Sequence, residues 1–144
     1  MLFVKSLAAL AAMLSLSAAS SVGLAINIFC LLIVKHRQHN GGRGTVYTQQ
    51  GGIGSCGQKH SDSEIFAALS YKLMGDKSPS PLCGHKIKVT NVGSNSGSKG
   101  KGKTLVVPVA DTCPGCNTND VDFSVGAWNK LTDNSPYGTI IIDW

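Results

Sequence analysis

No charged residue occurs between positions 6 and 34, and this gap divides the chain into two parts. Lys5 precedes the gap, and every Asp and Glu follows it. From Gly41 on, about 104 residues remain, enough for one independent core and too few for two. The division also dilutes the charge. The formal net charge of the chain is +5, but beyond Gly41 nine Lys and Arg43 face eight acids, leaving +2. That is too small a surplus for a phosphate-tracking surface, and no nucleic-acid partner is expected. With 42% hydrophobic and 15% charged residues and 17 Gly, a disordered tail and a coiled coil are both excluded.

The uncharged run reads as targeting. Lys5 is a short positive n-region, residues 7–16 are an apolar h-region, and Ser17, Ala18, Ala19 and Ser20 offer a small-residue cleavage site. Nothing polar recurs every 3.6 residues to give the run a solvent face, so a signal peptide over residues 1–20 is expected. A second apolar stretch, residues 22–34 (VGLAINIFCLLIV), follows, so that residues 21–43 hold it and a polar linker. Residues 6–34 together are long enough to span a bilayer, so an uncleaved anchor is the rival reading, and only in it is a membrane a partner. The small-residue break favours cleavage, and the second stretch then reads as a gene-model artefact such as a retained intron.

Cysteine usage agrees with export. Of the five, Cys30 lies in the apolar stretch, and Cys56, Cys83, Cys113 and Cys116 lie beyond it. An even number in a small exported domain implies two disulfides, with three pairings open. Cys113-x-x-Cys116 also has the spacing of a redox dithiol or half a zinc site. No second Cys pair or finger-spaced His follows it, and thioredoxin-like chemistry would need a βαβ setting that the chain lacks. His60 and His85 are isolated in polar loops. No metal and no cofactor are expected, and no Asn-x-Ser/Thr acceptor occurs.

Short strands punctuated by Gly organise the remainder. Residues 35–44 (KHRQHNGGRG) form a polar linker, and residues 45–49 have the β-formers of a first strand. Gly51, Gly52, Gly54 and Gly57 surround Cys56 in a tight turn. Residues 61–70 (SDSEIFAALS) are ambiguous: Ser61 with Glu64 makes a helical capping box, yet Ile65 to Leu69 suits a buried strand. Residues 86–90 (KIKVT) alternate, with Ile87 and Val89 inward, and residues 104–110 (TLVVPVA) are their antiparallel partner. Between them, residues 91–103 are mostly Gly, Ser and Lys and read as a solvated, mobile and dispensable hairpin loop. Ser124 is an N-cap for a helix through Leu131, with Trp128 and Leu131 on one face. Residues 139–143 (TIIID) are a last strand, which makes a small, mainly β domain.

Four segments in order carry a resemblance: residues 51–57 (GGIGSCG), 82–90 (LCGHKIKVT), 111–116 (DTCPGC) and Asp122-Phe123-Ser124. They are similar to the double-psi β-barrel superfamily of rare lipoprotein A, barwin-like proteins, expansins and barwin-like endoglucanases, and most of all to small secreted fungal members. The resemblance covers residues 44–144 and implies a six-stranded double-psi β-barrel with one or two short helices. It implies that Ile65 to Leu69 is a strand, that Cys56 pairs with Cys83, and that Cys113 and Cys116 close a tight loop over Pro114 and Gly115.

It also implies a groove across the barrel, with Tyr47, Asp111 and Asp122 at matching positions. Asp122 is the catalytic candidate. Inverting hydrolysis needs an acid and a base astride the bond, and the family's enzymes take the base from the first strand. Residues 44–50 (GTVYTQQ) hold no acid, which argues against that chemistry. The expected function is therefore a secreted, extracellular, monomeric and non-catalytic binding protein, whose groove takes cell-wall polysaccharide or a host protein. The alternative is a lytic transglycosylase or glucanase that uses Asp122.

Overall fold

The computed structural model describes residues 37–144. The signal segment at 1–20, the apolar stretch at 22–34 and the alternative anchor at 6–34 lie outside the described residues. Gln38–Trp144 make one compact unit. Its six strands are β1 (Gly42–Tyr47), β2 (Ala67–Ser70), β3 (Lys86–Gly93), β4 (Thr104–Cys113), β5 (Val121–Ser124) and β6 (Ile140–Asp143). A one-turn helix, α1 (Tyr71–Met74), follows β2, and α2 (Val125–Thr132) follows β5. Among the described residues no helix is long and apolar enough to cross a membrane.

The strands close into a barrel in the order β1-β5-β2-β4-β3-β6. Two pairs are parallel, β1 with β5 and β2 with β4. The other four contacts are antiparallel. Closure matters for strands this short, because each finds two partners and none is left as an open edge. Alternation along each strand fills the interior. Ala67 and Leu69, Val107 and Val109, Val121 and Phe123, and Ile140 and Ile142 are all at most 2% exposed. Ala127, Trp128 and Leu131 of α2 join the same core. The fully buried Trp128 satisfies its ring by donating Nε1–H to the Ser135 carbonyl at 3.0 Å.

Ser124 sets where β5 stops and α2 starts. Its Oγ accepts from Ala127 N at 3.2 Å as the N-cap, accepts from Phe66 N at 3.1 Å and donates to the Glu64 carbonyl at 2.7 Å. That triple use explains why residues 61–70 do not become a helix. Ser61 N does donate to Glu64 Oε1 at 2.8 Å, half of a capping box. The chain is then drawn to Ser124 instead, and the strand is Ala67–Ser70, two residues later than Ile65.

Two further expectations give way. The first strand starts at Gly42 and ends at Tyr47, so part of the Gly-rich segment read as linker is barrel. Gly44 is required there: a Cβ would lie 2.8 Å from both Ile140 Cγ1 and Phe123 Cε2. The loop after β3 is also not free. Asn91 is fully buried and donates from Nδ2 to the carbonyls of Lys99 (3.0 Å) and Leu131 (2.9 Å). Ser135 Oγ accepts from Lys99 N, and Ser94 and Ser96 both donate to the Thr139 carbonyl. Residues 94–103, which carry no apolar side chain, are thus held by polar anchors.

Candidate ligand-binding face

Strand register builds the face. Thr45 of β1 stands opposite Asp122 of β5. Asp122 and Asp111 of β4 both stand opposite Ala68 of β2. Opposed residues share a face, while Ala67, Leu69 and Phe123 alternate into the core. Thr45, Asp122, Ala68 and Asp111 therefore form one row across four strands, in which Thr45, Asp122 and Asp111 are half-buried and Ala68 is buried. Ala68 is small and forms its floor. The two acids are two strand spacings apart, roughly 10 Å at the backbone.

The acids differ in their surroundings. Asp111 Oδ1 accepts from Ser55 N at 2.7 Å and Thr112 N at 2.8 Å. Its Oδ2 accepts from the Tyr47 hydroxyl at 3.2 Å and Gln49 Nε2 at 3.3 Å. Two oxygens offer about four acceptor sites, and all four are taken. Burial pushes the Asp111 carboxyl upward, but these four bonds outweigh it and hold it below its ordinary value. Asp122 accepts one strong bond, from Thr45 Oγ1 at 2.6 Å. Burial raises its carboxyl, and the Thr45 bond and the Arg43 charge only partly offset that. Tyr47 joins the two acids electrostatically. Burial first, then the charge and hydrogen bond of Asp111 and the charges of Asp122 and Asp62, push its phenol far up, so it stays neutral. Its ring meets Phe66 edge-on at 6.0 Å.

Both disulfides flank this face. Cys56 is bonded to Cys83, and Cys113 to Cys116. The first clamps the turn at residues 51–57, from which Ser55 N reaches Asp111. The second lies beside Asp122: both sulfurs and an Asp122 carboxylate oxygen fall within 4.8 Å of one another. A metal would need two thiolates there, and the sulfurs are bonded to each other instead. His60 is not an isolated loop residue. Its ring stacks on Phe66 at 5.0 Å and its Nδ1 meets Glu64 Oε2 at 3.0 Å, whereas His85 is exposed.

A broad concavity of about 670 Å³ lies elsewhere, lined by Lys103, Thr104, Asn129, Lys130, Asp133 and Asn134. It holds an ion pair between Lys103 and Asp133. None of Tyr47, Asp111 and Asp122 lines it. The row is the stronger candidate, because two acids, a phenol and free acceptor capacity converge there. Sequence reasoning missed Thr45 and Gln49 as the partners of these acids. The alternation of Thr45, Tyr47 and Gln49 on one side of the first strand was the available signal.

The closed six-stranded barrel is a double-psi β-barrel, the fold of barwin- and expansin-like proteins. Scanned against models of known protein families, the chain matches none. It is 32% identical over 94 residues to the papain inhibitor of Streptomyces mobaraensis, spanning 62% of this chain and 59% of that protein. It is 32% identical over 90 residues to an Arthroderma benhamiae protein described as "Allergen Asp f 7 homolog", spanning 61% of this chain but 28% of that one. The chain thus spans less than two thirds of the length of either curated relative. Among solved structures, the Streptomyces papain inhibitor superposes with a TM-score of 0.57 at 28% identity, over 75% of this chain and 93% of that one. Clavibacter michiganensis expansin superposes with a TM-score of 0.53 at 29% identity, over 74% of this chain and 48% of that one. A point mutant of that expansin has been solved in complex with cellohexaose.

Proposed function

We propose that the protein is a secreted, non-catalytic binding protein that holds a cell-wall polysaccharide chain along the row Thr45, Asp122, Ala68 and Asp111. The saturation of Asp111 carries this reading. Inverting hydrolysis needs a second carboxylate free to take a proton from water, and retaining hydrolysis needs one about 5–5.5 Å from the first. Asp111 has no acceptor site left, and β1 offers Thr45 where an acid would serve. Asp122 alone keeps acceptor capacity, which suits hydrogen bonds from sugar hydroxyls. The complex of an expansin mutant with cellohexaose shows that a protein similar to this one over 48% of its length takes a glucan, which supports a glycan as the ligand. Two disulfides support an oxidising, extracellular setting.

One observation favours a protein partner as the second reading. The likeness to the papain inhibitor runs over 93% of that chain, and Ile53, 75% exposed, projects from the turn that Cys56–Cys83 clamps. The test is retention on insoluble cellulose, chitin and peptidoglycan, with a reducing-sugar assay and a papain assay on the same samples. Retention without sugar release, weakened by Asp122→Asn, is expected. Papain inhibition without retention would move the function to the second reading. Release of soluble fragments that Asp122→Asn abolishes would make the protein an enzyme.

A further inference from the structure

The Cys113–Cys116 bridge differs from Cys56–Cys83 in one chemical respect. A carboxylate oxygen of Asp122 stands within 4.8 Å of both its sulfurs. Among the described residues, no carboxylate or imidazole stands that close to both sulfurs of Cys56–Cys83. The two cysteines of the pair are also unequal. Cys113 is partly exposed at the end of β4, next to the exposed Pro114 and Gly115, whereas Cys116 is 6% exposed. Ser70 Oγ donates to the Cys116 carbonyl at 2.8 Å and fixes the buried partner. An accessible sulfur, a buried sulfur and a proton-carrying group beside them are what a dithiol exchange site requires.

We propose that Cys113–Cys116 is a thiol–disulfide exchange site, with Cys113 as the sulfur attacked and Asp122 as the group that moves the proton. The co-substrate is an external dithiol. One of its thiolates attacks Cys113 Sγ, a mixed disulfide forms, and the bond between Cys113 and Cys116 breaks. The electron pair leaves on Cys116 Sγ, which takes the proton of the Asp122 carboxylic acid. The second thiolate of the dithiol then attacks its own sulfur in the mixed disulfide. Cys113 leaves with the electron pair and takes a proton from water. The protein bridge is reduced to two thiols and the dithiol is oxidised to its disulfide. Asp122 recovers its proton from those released by the dithiol.

The groups that set the proton affinity of Asp122 come from its neighbouring strands. From β1 these are the Thr45 hydroxyl and the Arg43 charge, while the Tyr47 phenol stays neutral beside it. The two sulfurs, from the end of β4 and the turn after it, carry no charge while bonded to each other, and the β2 neighbour Ala68 offers no polar group. Burial keeps the acid form of Asp122 populated to higher pH than usual, as a proton donor to a leaving thiolate needs.

The test treats the folded full chain with dithiothreitol for short times, alkylates it and maps the bridges by mass spectrometry. Cys56, Cys83 and Cys113 are all partly exposed, so access does not separate the bridges, and Cys113–Cys116 should open about tenfold faster than Cys56–Cys83 or more because of the proton donor beside it. Glutathione in place of dithiothreitol should leave its adduct on Cys113. The opening rate, corrected for the thiolate concentration, should fall as pH rises through the Asp122 titration. Asp122→Asn should flatten that profile, Asp122→Glu should restore it, and Thr45→Val should move its midpoint up. Equal opening rates for the two bridges, an adduct on Cys116, or a profile unchanged in both Asp122→Asn and Thr45→Val would overturn the proposal.

Discussion

Asp111 and Asp122 share a row yet are shifted in opposite directions from the ordinary carboxylate value, because one collects four donors and the other one. For Asp111 the folded-state value lies below the ordinary value of 3.8. Its contribution to stability is therefore present above that value and is lost as pH falls through the folded one. For Asp122 the folded value is raised, so the native state holds a proton that the unfolded state gives up. Stability declines as pH rises between the two values, and the cost persists above both. Two substitutions separate these effects. Asp111→Asn should cost about 1.5–3 kcal/mol at pH 7, the worth of hydrogen bonds to a charged group, and less at pH 3. Asp122→Asn should leave stability at pH 7 unchanged or raised. Urea unfolding at both pH values measures this, and a destabilised Asp122→Asn would contradict the assignment. The acids were legible in the sequence, since Asp-Phe-Ser and Asp-Thr-Cys-Pro match motifs of the superfamily. The saturation of Asp111 was not, because two of its donors are backbone N–H groups of Ser55 and Thr112. No side-chain pattern announces a backbone donor.

Among the elements, the loop between β3 and β4 shows how polar contacts replace apolar ones. Asn91 anchors it by bonding the carbonyls of Lys99 and Leu131, and its own Oδ1 accepts from Gly93 N at 2.9 Å. Asn91→Ala should cost about 1–3 kcal/mol for each buried group left without a partner. Gly100→Ala should also destabilise. At φ +84° its Cβ would fall 2.1 Å from the Leu131 carbonyl oxygen, a backbone atom that cannot turn aside. Thermal unfolding of both variants checks this, and melting temperatures within a degree of the parent would restore the free loop. The disulfides belong to the same scale. Removing Cys56–Cys83, with a sequence separation of 27, should cost about 3–4 kcal/mol from the loop it closes. Removing Cys113–Cys116, with a separation of 3, should cost about 1.5 kcal/mol on the same argument. Equal losses in paired Cys→Ser variants would mean that strain or packing, rather than chain entropy, sets their worth. The pair of strands β3 and β4 was legible because KIKVT alternates cleanly. The loop was misread because one buried Asn in a polar run looks like any other turn residue.

At the scale of the molecule, closure turns four-residue strands into a stable sheet. Ala67 pairs with Val109 and Gly44 with Val121, both in parallel and far apart in sequence. Such pairings leave no local trace: neither the alternation of a strand nor the turn after it says which distant strand lies beside it. Four motifs in order carried the topology through resemblance, while the hydrophobic pattern carried only the elements. The same closure lines Thr45, Asp122, Ala68 and Asp111 into one row, and the account rests on that row being where a glycan lies. Nuclear magnetic resonance of the ¹⁵N-labelled protein, titrated with cello- and chito-oligosaccharides, tests it most directly. Amide shifts should concentrate at Thr45, Tyr47, Ala68, Asp111 and Asp122, and the amides of Lys103, Asn129 and Lys130 in the other concavity should stay still. Shifts clustered at those three instead, or none at any residue up to millimolar oligosaccharide, would contradict it.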